Sequence, residues 1–386
     1  MSKRTVLKNC RLYNKNEDKR YSIIIEKGKI EDVSQNSISD AENIVDIEGR
    51  LVCPGLIDIH IHGAGGVDSL AAHRPEDVLK MSKTLGRLGT TSYLPTLVPV
   101  PGKLEKAIEA IEKVKYQEAA SGAEILGVHL EGPFINIDKK GGLFPEGIYR
   151  PTPEKIDKLF EVGRGLTRMM TVAPEIDQDY NVTKRLLKEN AVPSLGHTLA
   201  TYEQTLEAFD AGIQHITHLF NAMPSIHHRA AGPLVAIFEN DAVTVQLISD
   251  GVHVNPEVIE WVYDQIGGER CVCISDGILS MGLPDGEYDY HGRPFESKNG
   301  TARYLDGTLI GTAVSLADIV FRFKEYTGCD LETAVNTATI NAAKVLGIDD
   351  QKGSLETGKD ADIVVFDEDQ SVWGTWVNGN HVYRND

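Results

Sequence analysis

The sequence predicts a (β/α)8 TIM barrel carrying a small β-sandwich formed by both chain termini. Three observations predict it. Eight short, apolar, strand-like segments recur between residues 54 and 275, most of them separated by amphipathic stretches with helix-start signals. Side chains able to bind a metal gather at the C-terminal ends of five of those segments, the end at which barrel enzymes work. Both chain ends carry short strand-like runs, too few at either end to make a stable core alone.

The segment around which the rest is arranged is PGLIDIHIHG, residues 54–63. Pro54-Gly55 opens it, Gly63 closes it, and Leu56, Ile57, Ile59 and Ile61 make it a buried strand. The further strands fall at residues 90–97, 124–131, 169–173, 192–197, 215–220, 244–248 and 270–275. Thr152-Pro153 and Asn255-Pro256 each supply an N-cap followed by proline at the first helical position. Thr201 and Gln204 make a capping box. Residues 103–120 show apolar positions at 104, 107, 108, 111 and 114, one stripe of a helix.

After the eighth strand, residues 282–311 are rich in Gly, Asp and Tyr and predict a hairpin insertion. Helices over about 313–327 and 330–346 follow. At the ends, residues 21–26 and 29–33 flank Lys27-Gly28, and 371–377 and 381–383 flank Asn378-Gly379, both tight hairpin turns. Residues 1–53 are expected as short antiparallel strands pairing with 350–386 in one composite unit, leaving 54–349 for the barrel.

At 386 residues, 41% hydrophobic and 25% charged, the chain has the make-up of a soluble globular protein. A formal charge of −18 excludes a nucleic-acid backbone binder, because no basic stripe is present to displace counterions. Five cysteines without a C-x-x-C spacing point to a reducing cytoplasm. No signal-peptide core and no run near the roughly 18 apolar residues of a membrane span is present.

His60 and His62 lie two apart on the first strand and so share one face at its C-terminal end. Strand three ends in Glu131, strand five in His197, strand six carries His218 and strand eight runs into Asp276. Each alone fits a satisfied core histidine or a capping carboxylate. Four histidines and two carboxylates on one rim fit a transition-metal site, since neutral imidazole and carboxylate are its usual donors. His129 shares a face with Glu131 and is expected behind the ligands; His73, His215, His227, His228, His291 and His381 carry no specific expectation.

On PGLIDIHIHG (54–63), HLEGPF (129–134), APE (173–175), GHT (196–198), THLFNAM (217–223), ISDGVHV (248–254) and SDG with GLPDGEY (275–288), the chain resembles the amidohydrolase superfamily. Within it, the chain resembles the N-acetylglucosamine-6-phosphate deacetylases. The resemblance implies one or two divalent transition metals per chain, zinc first, with iron, cobalt or nickel as alternatives. It places Glu131, His197 and His218 at one metal and His60, His62 and Asp276 at a second. Asp276 is implied as general base and acid, relaying a proton from the attacking water to the leaving amine. Asn221, Ala222, Arg229 and His253 are implied at the sugar phosphate, with Arg229 reaching in from the second subunit of a homodimer.

The implied reaction converts an N-acetylhexosamine 6-phosphate, first N-acetylglucosamine 6-phosphate, to acetate and the amino sugar phosphate. N-acetylgalactosamine 6-phosphate or another N-acyl compound is the alternative; a non-catalytic scaffold predicts broken ligands, and none is broken. One departure bears on this. The family pattern Lys-Gly-Ala-His is here Lys140, Gly141, Gly142 and Leu143, and leucine can neither donate a hydrogen bond nor carry charge. Gly277, where alanine is common, is a smaller departure.

Overall fold

A computed structural model describes residues 4–35, 41–117 and 121–385. The predicted barrel is present. Its strands are Leu56–Ile61, Thr90–Leu97, Val128–Glu131, Thr167–Val172, Val192–Leu195, His215–Ile216, Thr244–Leu247 and Cys271–Cys273, parallel and paired in sequence order. The third predicted strand is split, because Glu124–Ile125 pairs with strand two before Leu126 and Gly127 interrupt it. A Cβ on Gly127 would lie 2.2 Å from the Arg168 side chain, so only glycine lets the two backbones approach there.

The ring closes through the residues just past its first and last strands. The Asp276 amide donates to the His60 carbonyl at 3.0 Å, and the His62 amide donates to the Gly277 carbonyl at 2.8 Å. The covering helices begin as the sequence demands: Thr152, Asn255 and Thr201 all accept from backbone amides of the first turn, Thr201 within a full capping box. Helix Leu104–Lys115 buries all five positions of its predicted stripe, each large apolar side chain contributing about 1.5–3 kcal/mol. The predicted continuation to residue 120 is corrected, since the helix ends at Lys115 with Tyr116 as its C-cap; residues 118–120 lie outside the described residues. The predicted helix over 330–346 is two, Leu331–Thr337 and Ile340–Leu346, broken at Ala338 and Thr339. Among the described residues no helix is long and apolar enough to cross a membrane.

The two chain ends form one eight-stranded sheet, and both predicted two-residue turns occur, with Lys27, Gly28, Asn378 and Gly379 all at positive φ. One expectation is corrected. The amino-terminal segment is not wholly antiparallel: Thr5–Leu12 runs parallel to Asn43–Asp46 and to Leu51–Pro54. A bulge at Asn9 (φ +59°) hands that strand from one parallel partner to the other, turning the sheet over a shared core. Ile23, Ile25 and Ile30 from one limb meet Ile363, Val365, Trp373 and Trp376 from the other in that core.

The insertion is a four-stranded antiparallel sheet, Gly286–Tyr290, Arg293–Lys298, Thr301–Tyr304 and Leu309–Thr312. It encloses a small core of Tyr290, Phe295, Ala302 and Tyr304 with Ile278. His291 at its first turn lies 2.9 Å from the Asp68 carboxylate, fixing the turn onto the barrel. The last strand returns to the barrel rim, where the Thr312 amide donates to the Asp276 carbonyl at 3.0 Å.

Sheet and barrel are joined by a buried charge cluster. The Lys352 ammonium, 4% exposed, lies 2.7 Å from Asp362, 2.8 Å from Glu124 and 3.0 Å from Asp360. Glu124 begins the third barrel strand and also accepts from the Asn378 amide group in the terminal hairpin at 3.0 Å. Burial opposes the Lys352 charge, but the three carboxylates more than offset it and raise its pKa. Removing one partner from such a cluster leaves uncompensated buried charge. Lys352→Met is therefore expected to cost about 3–5 kcal/mol in chemical denaturation; a loss below about 1 kcal/mol would show that the cluster does not hold the two parts together.

Candidate metal centre

Six side chains converge at the C-terminal mouth of the barrel. His60 lies inside its strand, Glu131 ends strand three, and His62, His197, His218 and Asp276 stand one to three residues beyond their strands. His197 (φ +47°), His218 (φ +26°) and Asp276 (φ +46°) all take up the left-handed backbone region. For residues other than glycine this costs of the order of 1–3 kcal/mol each and is a feature of functional sites. It turns each side chain inward over the barrel axis.

The Glu131 carboxylate is the hub. Its Oε1 lies 3.0 Å from the Nε2 atoms of both His197 and His218, and its Oε2 lies 3.1 Å from His62 Nε2. His60 Nε2 stands 3.5 Å from both Glu131 and Asp276, and His62 Nε2 stands 3.5 Å from Asp276. Two sets of possible ligands result, His60, His62 and Asp276 beside Glu131, His197 and His218. All are buried except Asp276, whose side chain keeps 14% exposure.

Supporting hydrogen bonds fix the imidazoles. Gln246 Oε1 already accepts from the His218 amide (3.3 Å), so His60 Nδ1, 3.0 Å away, is its second donor. His197 Nδ1 donates to the Lys139 carbonyl at 2.7 Å. These two rings thus present the Nε2 lone pair to the centre, the arrangement in which a histidine binds metal. His197 Nε2 and His218 Nε2 lie only 3.0 Å apart, and His60 Nε2 is buried without a hydrogen-bond partner. His129 sits behind, held by Thr96 and Thr171 hydroxyls, and burial followed by the neighbouring His60 drives it well below the usual imidazole range.

The electrostatics call for positive charge. Burial resists charging His60, yet Asp276 and Glu131 outweigh it and raise its pKa to about 9; His62 is raised in the same way by Glu131. Burial would raise Glu131, but His60, His197 and His218 hold it well below the carboxylate range. Crowded imidazole lone pairs around an anionic carboxylate fit a divalent transition cation, one or two of which these donors can hold.

A cavity of about 150 Å³ opens onto this centre, lined by His62, Glu131, His197, His218 and Asp276. The structure brings Asn221, Ala222 and His253 to the same cavity. Ala222 is left-handed (φ +54°), and His253 is held by Asp250 at 2.7 Å, which outweighs burial and raises its pKa. Arg229 is not there. It lies on the exposed loop that follows strand six, with its guanidinium on His228. Leu143 lines the cavity as its position implied. At Gly277 the Met281 terminal methyl lies where a Cβ would stand. A larger cavity, about 700 Å³, lies at the opposite end of the barrel among Arg168, Asn190 and Lys344, remote from both ligand sets.

The amidohydrolase family profile matches residues 51–382. The chain belongs to the amidohydrolase family. Amidohydrolase relatives at high similarity include the N-acetylglucosamine-6-phosphate deacetylase of Bacillus subtilis (strain 168), 35% identical over 98% of this chain and 97% of that one. The N-acetylgalactosamine-6-phosphate deacetylase of Escherichia coli O157:H7 is 32% identical over 87% of this chain and 89% of its own. Among solved structures, a variant N-acetyl-D-glucosamine-6-phosphate deacetylase from Mycobacterium smegmatis in complex with N-acetyl-D-glucosamine-6-phosphate aligns with a TM-score of 0.87 at 29% identity, covering 98% of this chain and 99% of that one.

Glu175, in the APE segment after strand four, takes a part that the sequence signalled only as a motif. Its carboxylate accepts from Asn136 Nδ2 (2.9 Å), the Thr198 hydroxyl (2.5 Å) and the Leu199 amide (2.6 Å). The Asn136 amide in turn donates to the His197 carbonyl at 2.9 Å. Strand four offers no ligand to the centre; it braces the loops that hold one. Glu175→Ala is expected to keep the fold and weaken zinc affinity about 10–100-fold, the scale of a lost supporting contact, read by chelator competition. Unchanged affinity would remove Glu175 from this part.

Proposed function

We propose that this amidohydrolase removes the N-acetyl group from an N-acetylhexosamine 6-phosphate, N-acetylglucosamine 6-phosphate first, releasing acetate and the amino sugar phosphate. The observation that carries the reading is the joint placement in one cavity of the Glu131-centred donor set, Asp276 and the polar loops bearing Asn221, Ala222 and His253. The relatives whose names specify this activity support it along nearly their full length.

In this reading Glu131 would stand between two ligand sets, because its Oε1 faces His197 and His218 and its Oε2 faces His62. His197 and His218 complete one set of ligands, and His60, His62 and Asp276 the other; zinc is the first candidate. Such cations would act as Lewis acids, bringing the pKa of water down towards neutrality and polarising a carbonyl. Asp276 combines contact with the centre and exposure to the cavity, so it is placed to take the water proton and hand it to the leaving amine. Asn221, the Ala222 backbone and His253 receive the phosphate; the raised pKa of His253 suits an anion.

Arg229 completes the phosphate site from the second subunit of a homodimer. Its own loop is exposed and carries Ile226 at 52% exposure, the kind of apolar surface a second copy would cover. Five buried, unpaired thiols suit a reducing cytoplasm. A second reading changes only the sugar epimer or the acyl group, and it is favoured by Leu143 standing in the cavity wall.

Asp276→Asn is the test. The variant is expected to fold normally and to lower kcat for acetate release from N-acetylglucosamine 6-phosphate by at least about 10²-fold, the scale of a lost acid–base group. Turnover near that of the wild type would remove Asp276 from the reaction.

A further inference from the structure

One side of the cavity is apolar and belongs to no polar network of the centre. Leu143 and Phe144 come from the loop after strand three, and Tyr290, Leu309 and Ile310 from the inserted sheet. The two elements press together: the Phe144 ring stacks on Tyr290 with centroids 5.7 Å apart, and a Cβ on Gly142 would lie 3.1 Å from Ile310. Leu143, Phe144, Leu309 and Ile310 are all half-buried. Asn221, Ala222 and His253 stand on loops after strands six and seven; Leu143 and Phe144 stand after strand three, across the barrel mouth, and Leu309 and Ile310 come from the sheet inserted after strand eight, which closes against that strand-three loop.

An amide is planar and trans, so its acyl substituent points away from the sugar carbon on nitrogen. With the sugar phosphate on the side of strands six and seven and the amide over Glu131 and Asp276, the acyl chain is directed at the apolar wall. A methyl group covers little of it. We infer that the preferred substrate carries an unbranched N-acyl chain longer than acetyl, accommodated against Leu143, Phe144 and Ile310. The inference rests on the deacylation reading above. The chemistry is balanced as simple hydrolysis: the C–N bond breaks, the water oxygen joins the acyl carbon as a free carboxylate, and a proton passes to the amine.

The test uses the zinc-loaded wild-type protein and three substrates, the N-acetyl, N-propanoyl and N-butanoyl derivatives of glucosamine 6-phosphate. Burying one methylene is worth a factor of roughly four, so kcat/KM is expected to rise about 15-fold from acetyl to butanoyl. In Leu143→Asn, of similar size but polar, that ratio is expected to fall to within about threefold of unity, since the chain then meets a polar wall. A flat or falling series in the wild type, with acetyl turned over, would overturn the inference and leave the deacetylase reading standing. A rising series unaltered in Leu143→Asn would also overturn it, by placing the chain elsewhere. No turnover of any of the three would reject the deacylase reading and this inference with it.

Discussion

The contact on which the rest of the site depends is that of one buried carboxylate with three imidazoles. Glu131 is 2% exposed and lies within 3.1 Å of His62, His197 and His218. In so dry a place an anion is costly unless positive charge neutralises it. The protein supplies that charge in part by raising His60 and His62, and the donor geometry suits a cation for the remainder. Protons and metal ions therefore compete for the same Nε2 atoms, which makes occupancy a function of pH as well as of metal supply.

The barrel makes this concentration of charge affordable by fixing each donor on a different rigid strand. Left-handed backbone at His197, His218 and Asp276 turns the side chains over the axis, and hydrogen bonds through Gln246, Lys139 and Glu175 brace the segments that carry His218 and His197. Closure of the ring between strands eight and one sets Asp276 beside His60 and His62. The inserted sheet begins just past Asp276 and returns to its carbonyl, so the element that follows the proposed acid–base group also builds the apolar wall of the cavity.

Much of this was legible in the chain because it is written in local pattern. Strand-end positions are countable once the eight apolar segments are found, so His60, His62, Glu131, His197, His218 and Asp276 could be assigned to one rim. The caps at Thr152, Thr201 and Asn255 were equally plain. What escaped depends on long-range partners. The parallel pairing of Thr5–Leu12 has no signature in a segment read alone, because alternation reports a face and not a direction. Gln246 and Glu175 support the centre through bonds spanning more than a hundred residues or several loops, and no spacing encodes them. The wall joins Leu143 to Ile310 across 167 residues, the difference of their numbers in the chain. Arg229 was implied at the phosphate only from a second subunit, and within a single chain it faces outward.

The claim that Glu131 is shared between two sets of ligands is tested most directly by counting metal. Protein loaded with excess zinc, freed of unbound ion by gel filtration and measured by plasma mass spectrometry, is expected to hold two zinc ions per chain. One zinc per chain, or none, would contradict the reading in which both ligand sets hold metal.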